Sequence, residues 1–167
     1  MKIRILFVID NIQFGGGEKE HEVHIITRNT DGLLSSHQQL YPGLTIHRFF
    51  VPRKELLGLL VFEIKNSFLL AKELAKKIKF DILCIHQSMV GIGPLLSGCL
   101  NNIPIIYYYH SPWHEEFLSK RRTGNKKIGI RDKAISYKMC LIEKYILHTG
   151  ISCVRCAGSG NPCGGHT

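Results

Sequence analysis

Ile103-Pro104-Ile105-Ile106-Tyr107-Tyr108-Tyr109-His110 is the stretch that decides the fold class of this 167-residue chain. A short apolar run rich in β-branched and aromatic residues, opened by a proline, reads as a buried parallel strand. It runs directly into Ser111-Pro112-Trp113-His114-Glu115-Glu116, a cluster of polar, titratable and aromatic side chains. In open α/β sheets, ligands bind just beyond the carboxyl ends of the strands. The stretch therefore joins a favourable place to suitable chemistry.

Similar strand-like runs recur at Ile3 to Asp10, Glu22 to Thr27, Thr45 to Val51 and Asp81 to His86. Helical periodicity lies between several of them. Ile64, Phe68, Ala71, Ala75 and Ile78 share one face, Met89 to Leu100 forms a glycine-bearing apolar segment, and Ile135, Met139, Ile142 and Ile146 make a third stripe. Strands alternating with helices predict an α/β fold, a Rossmann-like parallel sheet flanked by helices. One connection departs from that pattern. Only the residues from Asn11 to His21 separate the first two strands, whereas a parallel crossover normally needs a dozen or more because it contains a helix. Such a segment, extended, reaches roughly 37 Å and can return along a strand, but it cannot also supply a covering helix. The sheet face over the first two strands is expected to be short of cover.

The size suits one domain with a real core, and the composition, 44% hydrophobic and 21% charged, is that of a globular protein. The apolar start meets Asp10 too early for a signal peptide, and the run Leu56 to Phe62 is too short to span a bilayer. A cytoplasmic protein with reduced cysteines is the expectation, with a location at the inner face of the membrane as its variant. Net charge is +9, and +7 of it falls between Leu118 and Leu147. Lys120, Arg121, Arg122, Lys126 and Lys127 lead this patch, which reads either as a docking surface for an anionic membrane or other anionic partner, or as a solvated helix face. No nucleic-acid reading motif accompanies the charge, so nucleic acid is not an expected partner.

Four constellations can carry chemistry. Gly15-Gly16-Gly17 follow the first strand, where glycines let backbone N–H groups approach a phosphate or sugar; the same residues also suit a plain turn. His110, with Ser111 and Trp113, stands at a strand end, where a histidine can act as a base or hydrogen-bond a sugar hydroxyl. Glu115 and Glu116 fit the first turn of a helix that Ser111 caps and Pro112 opens. His86 ends a neighbouring strand and can face the same crevice. The fourth is Cys153-x2-Cys156-x6-Cys163-x2-His166, four zinc-type ligands whose first half resembles part of the zinc motif of the DnaJ chaperone family. A second copy of that motif is needed to close a tetrahedral site, and the sequence has none, so no metal site is predicted.

Several segments together resemble one family. Gly15-Gly16-Gly17-Glu18 resembles the G-G-A-E loop of family-four, GT-B-type glycosyltransferases. His21-Glu22-Val23-His24-Ile25-Ile26-Thr27 is similar to that family's second strand, Asp81 to His86 to its D-[IV]-[IV]-H-x-H strand, and Ile103 to Glu116 to its I-P-V-V-x-T-x-H-x-x-W strand and loop. The resemblance implies the acceptor-side, N-terminal half of a GT-B fold, incomplete because the first helix is absent. It implies that Gly15 and Gly16 approach donor phosphate or acceptor, and that His110 lies beside the transferred sugar as the catalytic residue. Gly17, His86, Ser111 and Trp113 are expected to line the substrate, a sugar or glycolipid acceptor. The full-length family uses a nucleotide-sugar donor, retains anomeric configuration and needs no essential metal or other cofactor. Residues 1–148 are expected to form this domain and 149–167 a disordered tail rich in glycine and cysteine, as in a truncated or frame-altered product. Without the donor-binding domain, the chain alone is expected to be inactive. The alternative is a non-catalytic basic module bound to an anionic surface.

Overall fold

The computed structural model describes residues 2–9, 20–52, 56–109, 112–124, 128–148 and 152–155. Among these residues, seven strands form one sheet: β1 (Arg4–Val8), β2 (Glu22–Asn29), β3 (His37–Tyr41), β4 (Leu44–Phe50), β5 (Ile82–Ile85), β6 (Ile105–Tyr109) and β7 (Ser152–Arg155). Their order is β3-β4-β2-β1-β5-β6-β7, and every pairing is parallel except β3 with β4. The described residues also form four helices: α1 (Leu56–Lys77), α2 (Ser88–Leu96), α3 (Trp113–Thr123) and α4 (Ile130–His148). The Rossmann-like α/β arrangement predicted from the sequence is the one found.

Register explains where the helices sit. Leu6 and Val8 pair across from Leu83 and Ile85, and Ile85 from Tyr107, so these side chains share one face. That face carries the main core, where Leu6, Val8, Ile26, Leu83, Ile85 and Tyr107 meet Ala71 and Leu74 of α1, Val90 and Leu95 of α2, and Ile146 of α4. The connections β4 to β5, β5 to β6 and β6 to β7 all run the same way across the sheet, and right-handed crossovers put all their helices on one side. α3 packs on α4. The second cluster, on the opposite face, is built from Ile9, Val23, Ile25, Leu44 and Ile46 with Phe7 and Tyr41, and contains no helical residue. Among the described residues, then, this face has no helix over it, and its strand positions Phe7, Ile82, Ile106 and Tyr108 are only half-buried. The short β1–β2 connection that led to this expectation lies mostly outside the described residues.

Two elements depart from the expected pattern. β3 was not anticipated, because His37-Gln38-Gln39 carries no apolar alternation; it is an exposed, polar edge strand. The turn that folds it onto β4 is Pro42-Gly43, with Gly43 at φ +96°, a conformation open to glycine. The second is the tail. Residues from 149 were expected to be structureless, yet Ser152–Arg155 pairs in parallel with β6, Ile106 opposite Ser152. A parallel neighbour on β6 satisfies backbone groups whatever the side chains contribute. Residues 156–167 lie outside the described residues.

α2 crosses α1 closely, and two glycines permit it. A Cβ at Gly93 would lie 2.6 Å from the Ile64 carbonyl oxygen and 2.7 Å from the Phe68 nitrogen, besides striking Ser67 Oγ. A Cβ at Gly91 would strike Ile85.

Candidate functional site

The C-terminal ends of β1, β5 and β6 meet at one edge of the sheet. His86 is the first residue past β5, and its N–H donates to the Val8 carbonyl (3.0 Å), which extends the ladder by one step. The pleat turns its ring to the face without helices. There it stacks on Tyr108 (centroids 4.3 Å apart, planes 16°) and lies tilted against Phe7 (5.6 Å). His86 is half-buried, so an aromatic shelf with one polar head stands at the strand ends. Flat apolar surface beside a hydrogen-bonding ring suits the face of a sugar and its hydroxyls.

On the helix-covered side, the Tyr107 hydroxyl meets the Ser88 hydroxyl (3.3 Å) at the start of α2. β6 ends at Tyr109, and α3 begins at Trp113 with Pro112 as its N-cap, which offers no side-chain acceptor. The sequence placed Pro112 inside the first turn; the helix starts one residue later, and its capping acceptor comes from α4. The Glu143 carboxylate accepts the Trp113 N–H (2.5 Å) and a bond from His114 Nδ1 (2.6 Å). The Ser136 hydroxyl adds a bond to the His114 carbonyl (3.4 Å). An anion at a helix N-terminus accepts orphan N–H groups and complements the dipole. Glu115 and Glu116 occupy the first turn of α3, as expected of that dipole.

Of the predicted site residues, His86 and Trp113 stand at this edge. Gly15, Gly16, Gly17, His110 and Ser111 lie outside the described residues. Sequence reasoning missed Tyr108 as the partner of His86, and Glu143 as the anchor of the segment after β6. A signal for Glu143 was available: it falls at helical spacing with Ser136, Met139 and Ile146, the positions α4 buries. The stripe read from sequence used Ile135 and Ile142 instead, which are half-buried.

A second titratable cluster lies on the helix-covered face toward the β3 edge. His24 Nδ1 meets His47 Nε2 (3.0 Å), His24 Nε2 meets Glu22 Oε1 (3.2 Å), and His37 Nδ1 approaches His47 Nδ1 (3.4 Å). Burial, then the neighbouring His24 and His37, push the His47 imidazole down to about 4. His24 holds the Glu22 carboxyl below its ordinary value. These groups run in a line rather than around a point, and among the described residues no set of three or more His, Cys, Asp or Glu could hold a metal ion. Of the tail's zinc-type ligands, Cys156, Cys163 and His166 lie outside the described residues. Burial raises the Cys84 thiol to about 11.

In the basic segment, Lys120 pairs with Glu116 (2.6 Å), and Arg121 with Asp132 (3.5 Å) while lying over the Phe117 ring. Two of the predicted patch residues are thus partly neutralised by acids, and Lys126 and Lys127 lie outside the described residues. No described helix is long and apolar enough to cross a membrane.

Comparison with known proteins agrees with this architecture. Over 87% of its length the chain superposes on sucrose-phosphate synthase from Thermosynechococcus elongatus, with a TM-score of 0.57 and 16% identity, a likeness of fold. It spans 40% of that protein's chain. A second sucrose-phosphate synthase structure from the same organism, from a twinned crystal, gives a TM-score of 0.30 at 15% identity, over 86% of this chain and 99% of that one. No curated protein matches in sequence. The model of Glycosyltransferase Family 4 matches residues 15–141, most of the chain and every helix and strand from β2 to α3. With the ordered run of motifs along the same residues, this chain belongs to Glycosyltransferase Family 4.

Proposed function

We propose that this chain forms the acceptor side of a nucleotide-sugar-dependent glycosyl transfer site, taking a sugar or glycolipid acceptor at the C-terminal ends of β1, β5 and β6. The observation that carries the reading is the His86–Tyr108 stack at that edge, in a chain of this family. In this proposal His110 stands beside the transferred sugar, Ser111 and Trp113 border the acceptor, and Gly15 to Gly17 approach it or the donor phosphate. Glu143 is a positioning residue, because it fixes the start of α3 through Trp113 and His114. The 167 residues alone are proposed to bind acceptor without turning over, since a transfer cleft has a second wall. Residues 1–148 are proposed to carry this role, in the cytoplasm.

The test pairs two measurements on the purified chain. Nucleotide-sugar turnover is expected to be absent, while a panel of sugar acceptors is expected to yield one that saturably shifts the His86 ring resonances. Robust transfer by the chain alone would overturn the inactivity. A full panel that leaves His86 and Tyr108 unmoved would overturn the acceptor assignment.

A second reading, a basic module on an anionic membrane, is favoured by one observation: Val61 and Phe62 of the apolar run Leu56 to Phe62 are exposed, at 65% and 38%. The two readings are compatible, because a glycolipid acceptor brings its enzyme to a bilayer.

A further inference from the structure

α4 is apolar on two sides. Its buried side, Ser136, Met139, Glu143 and Ile146, faces the core and α3. On the opposite side Ile130, Ala134, Tyr137, Leu141 and Tyr145 follow one another at helical spacings of three or four, and all are exposed. Ile130 is 89% exposed, Tyr137 65%, Leu141 46% and Tyr145 45%. At 3.6 residues per turn, these five form a single stripe along the helix. The charges on α4 are sorted about that stripe. Lys133 and Lys144 border one side, Arg131 and Lys138 the other, and all four are exposed. The two acids, Asp132 and Glu143, lie on the far side, where Asp132 meets Arg121 and Glu143 holds His114.

We propose that the outward face of α4 docks on an anionic lipid bilayer, lying in the headgroup plane with its apolar stripe inserted. The occupant follows from the pattern. An exposed apolar stripe between two rows of cations, with no acid on that half of the helix, matches a surface that is apolar beneath and negative above. Tyrosine, with an apolar ring and a polar tip, favours that boundary. A second copy of this chain is disfavoured, because stacking two such faces sets cation rows against cation rows. The surface differs from the α3 patch, whose Lys120 and Arg121 already face acids. Docking by α4 requires no sugar transfer and is measured without it.

The experiment is vesicle flotation of the purified chain, with phosphatidylcholine alone or with phosphatidylglycerol mixed in. Binding is expected only with phosphatidylglycerol, and it should weaken as salt is raised. Each exposed cation removed, as in Lys138→Gln or Lys144→Gln, is expected to weaken binding about fivefold. Leu141→Ser and Tyr137→Ser, which leave the charge unchanged, are expected to weaken it by a similar factor. Circular dichroism checks that each variant is folded. The proposal is overturned if neither serine variant matters while Lys120→Gln and Arg122→Gln abolish binding, since that is plain electrostatics through α3. Binding that ignores phosphatidylglycerol content overturns it too, as does sedimentation showing that Leu141→Ser dissolves a dimer. No binding to either vesicle ends it.

Discussion

Glu143 on α4 holds His114 on α3 through a 2.6 Å bond to Nδ1, and the same carboxylate accepts the Trp113 N–H. One buried side chain thereby fixes the start of the helix that follows β6. Removing it strands two polar groups at a helix terminus. Hydrogen bonds to charged groups contribute roughly 1.5–3 kcal/mol, so Glu143→Ala is expected to cost about 3 kcal/mol. Glu143→Gln keeps an acceptor for Trp113 and should cost about half of that. Urea denaturation of the three proteins checks the order; equal stability of wild type and Glu143→Ala would contradict it.

His47 makes stability depend on pH. Its imidazole titrates at 6.5 when unfolded and at about 4 when folded, because burial and the neighbouring His24 and His37 disfavour the cation. The unfolded chain binds the extra proton first on acidification. Stability is therefore fully present above pH 6.5 and lost as pH falls from 6.5 to about 4. The loss from this group is about 3 kcal/mol at most. Glu22, also depressed, adds a loss of the same sign at lower pH. His47→Gln should flatten most of the slope in urea midpoints between those limits.

Gly93→Ala sets two effects against each other. Alanine is favoured over glycine in a helix by about 1 kcal/mol. The new methyl group would press on backbone atoms of α1, which cannot yield as a side-chain tip could. Overpacking of this kind costs about 1–3 kcal/mol and should win, lowering the melting temperature by several degrees. A calorimetric scan showing a rise would refute the close crossing.

Cys84 and Cys99 should differ in reactivity. Cys84 is buried with its thiol raised to about 11, whereas Cys99 is exposed. At pH 8 the thiolate fraction of Cys84 is about one in a thousand. Brief alkylation of the native chain followed by peptide mass spectrometry should label Cys99 and spare Cys84. Urea should erase the difference.

His86→Ala tests the aromatic shelf. Loss of the stack should cost only about 1 kcal/mol of stability, while acceptor binding, read by tyrosine chemical shifts, is expected to be lost.

The sequence was most readable where one physical signal acted alone. Runs such as Ile82 to Ile85 and Ile105 to Tyr109 are continuous apolar stretches bounded by Asp81 and His86 or by Pro104 and His110, and their limits fell within a residue or two of those expected. β3 was unreadable because an edge strand satisfies its backbone without burying side chains, although Pro42-Gly43 marked its turn. The face of α4 was misjudged by part of a turn, since Ser136 and Glu143 take core positions in order to bind α3. Ser152–Arg155 gained a place beside β6 that its glycine- and cysteine-rich surroundings did not suggest. At the site, composition located the strand ends, but no spacing rule joins His86 to Tyr108 or His114 to Glu143, because those partners are brought together only by the sheet and by helix packing.

The central place of β1 has a consequence for synthesis. One of its edges is paired by β2 soon after it is made, but the other waits for β5, and the bond from the Arg4 N–H to Asp81 spans 77 residues. At about 5–20 residues per second, that edge stays open for several seconds on the ribosome. Ile5, Leu6, Phe7 and Val8 then form an apolar strand with one edge unpaired, open to any other nascent chain. The period of greatest aggregation hazard for this protein ends when Ile82 to Ile85 emerge.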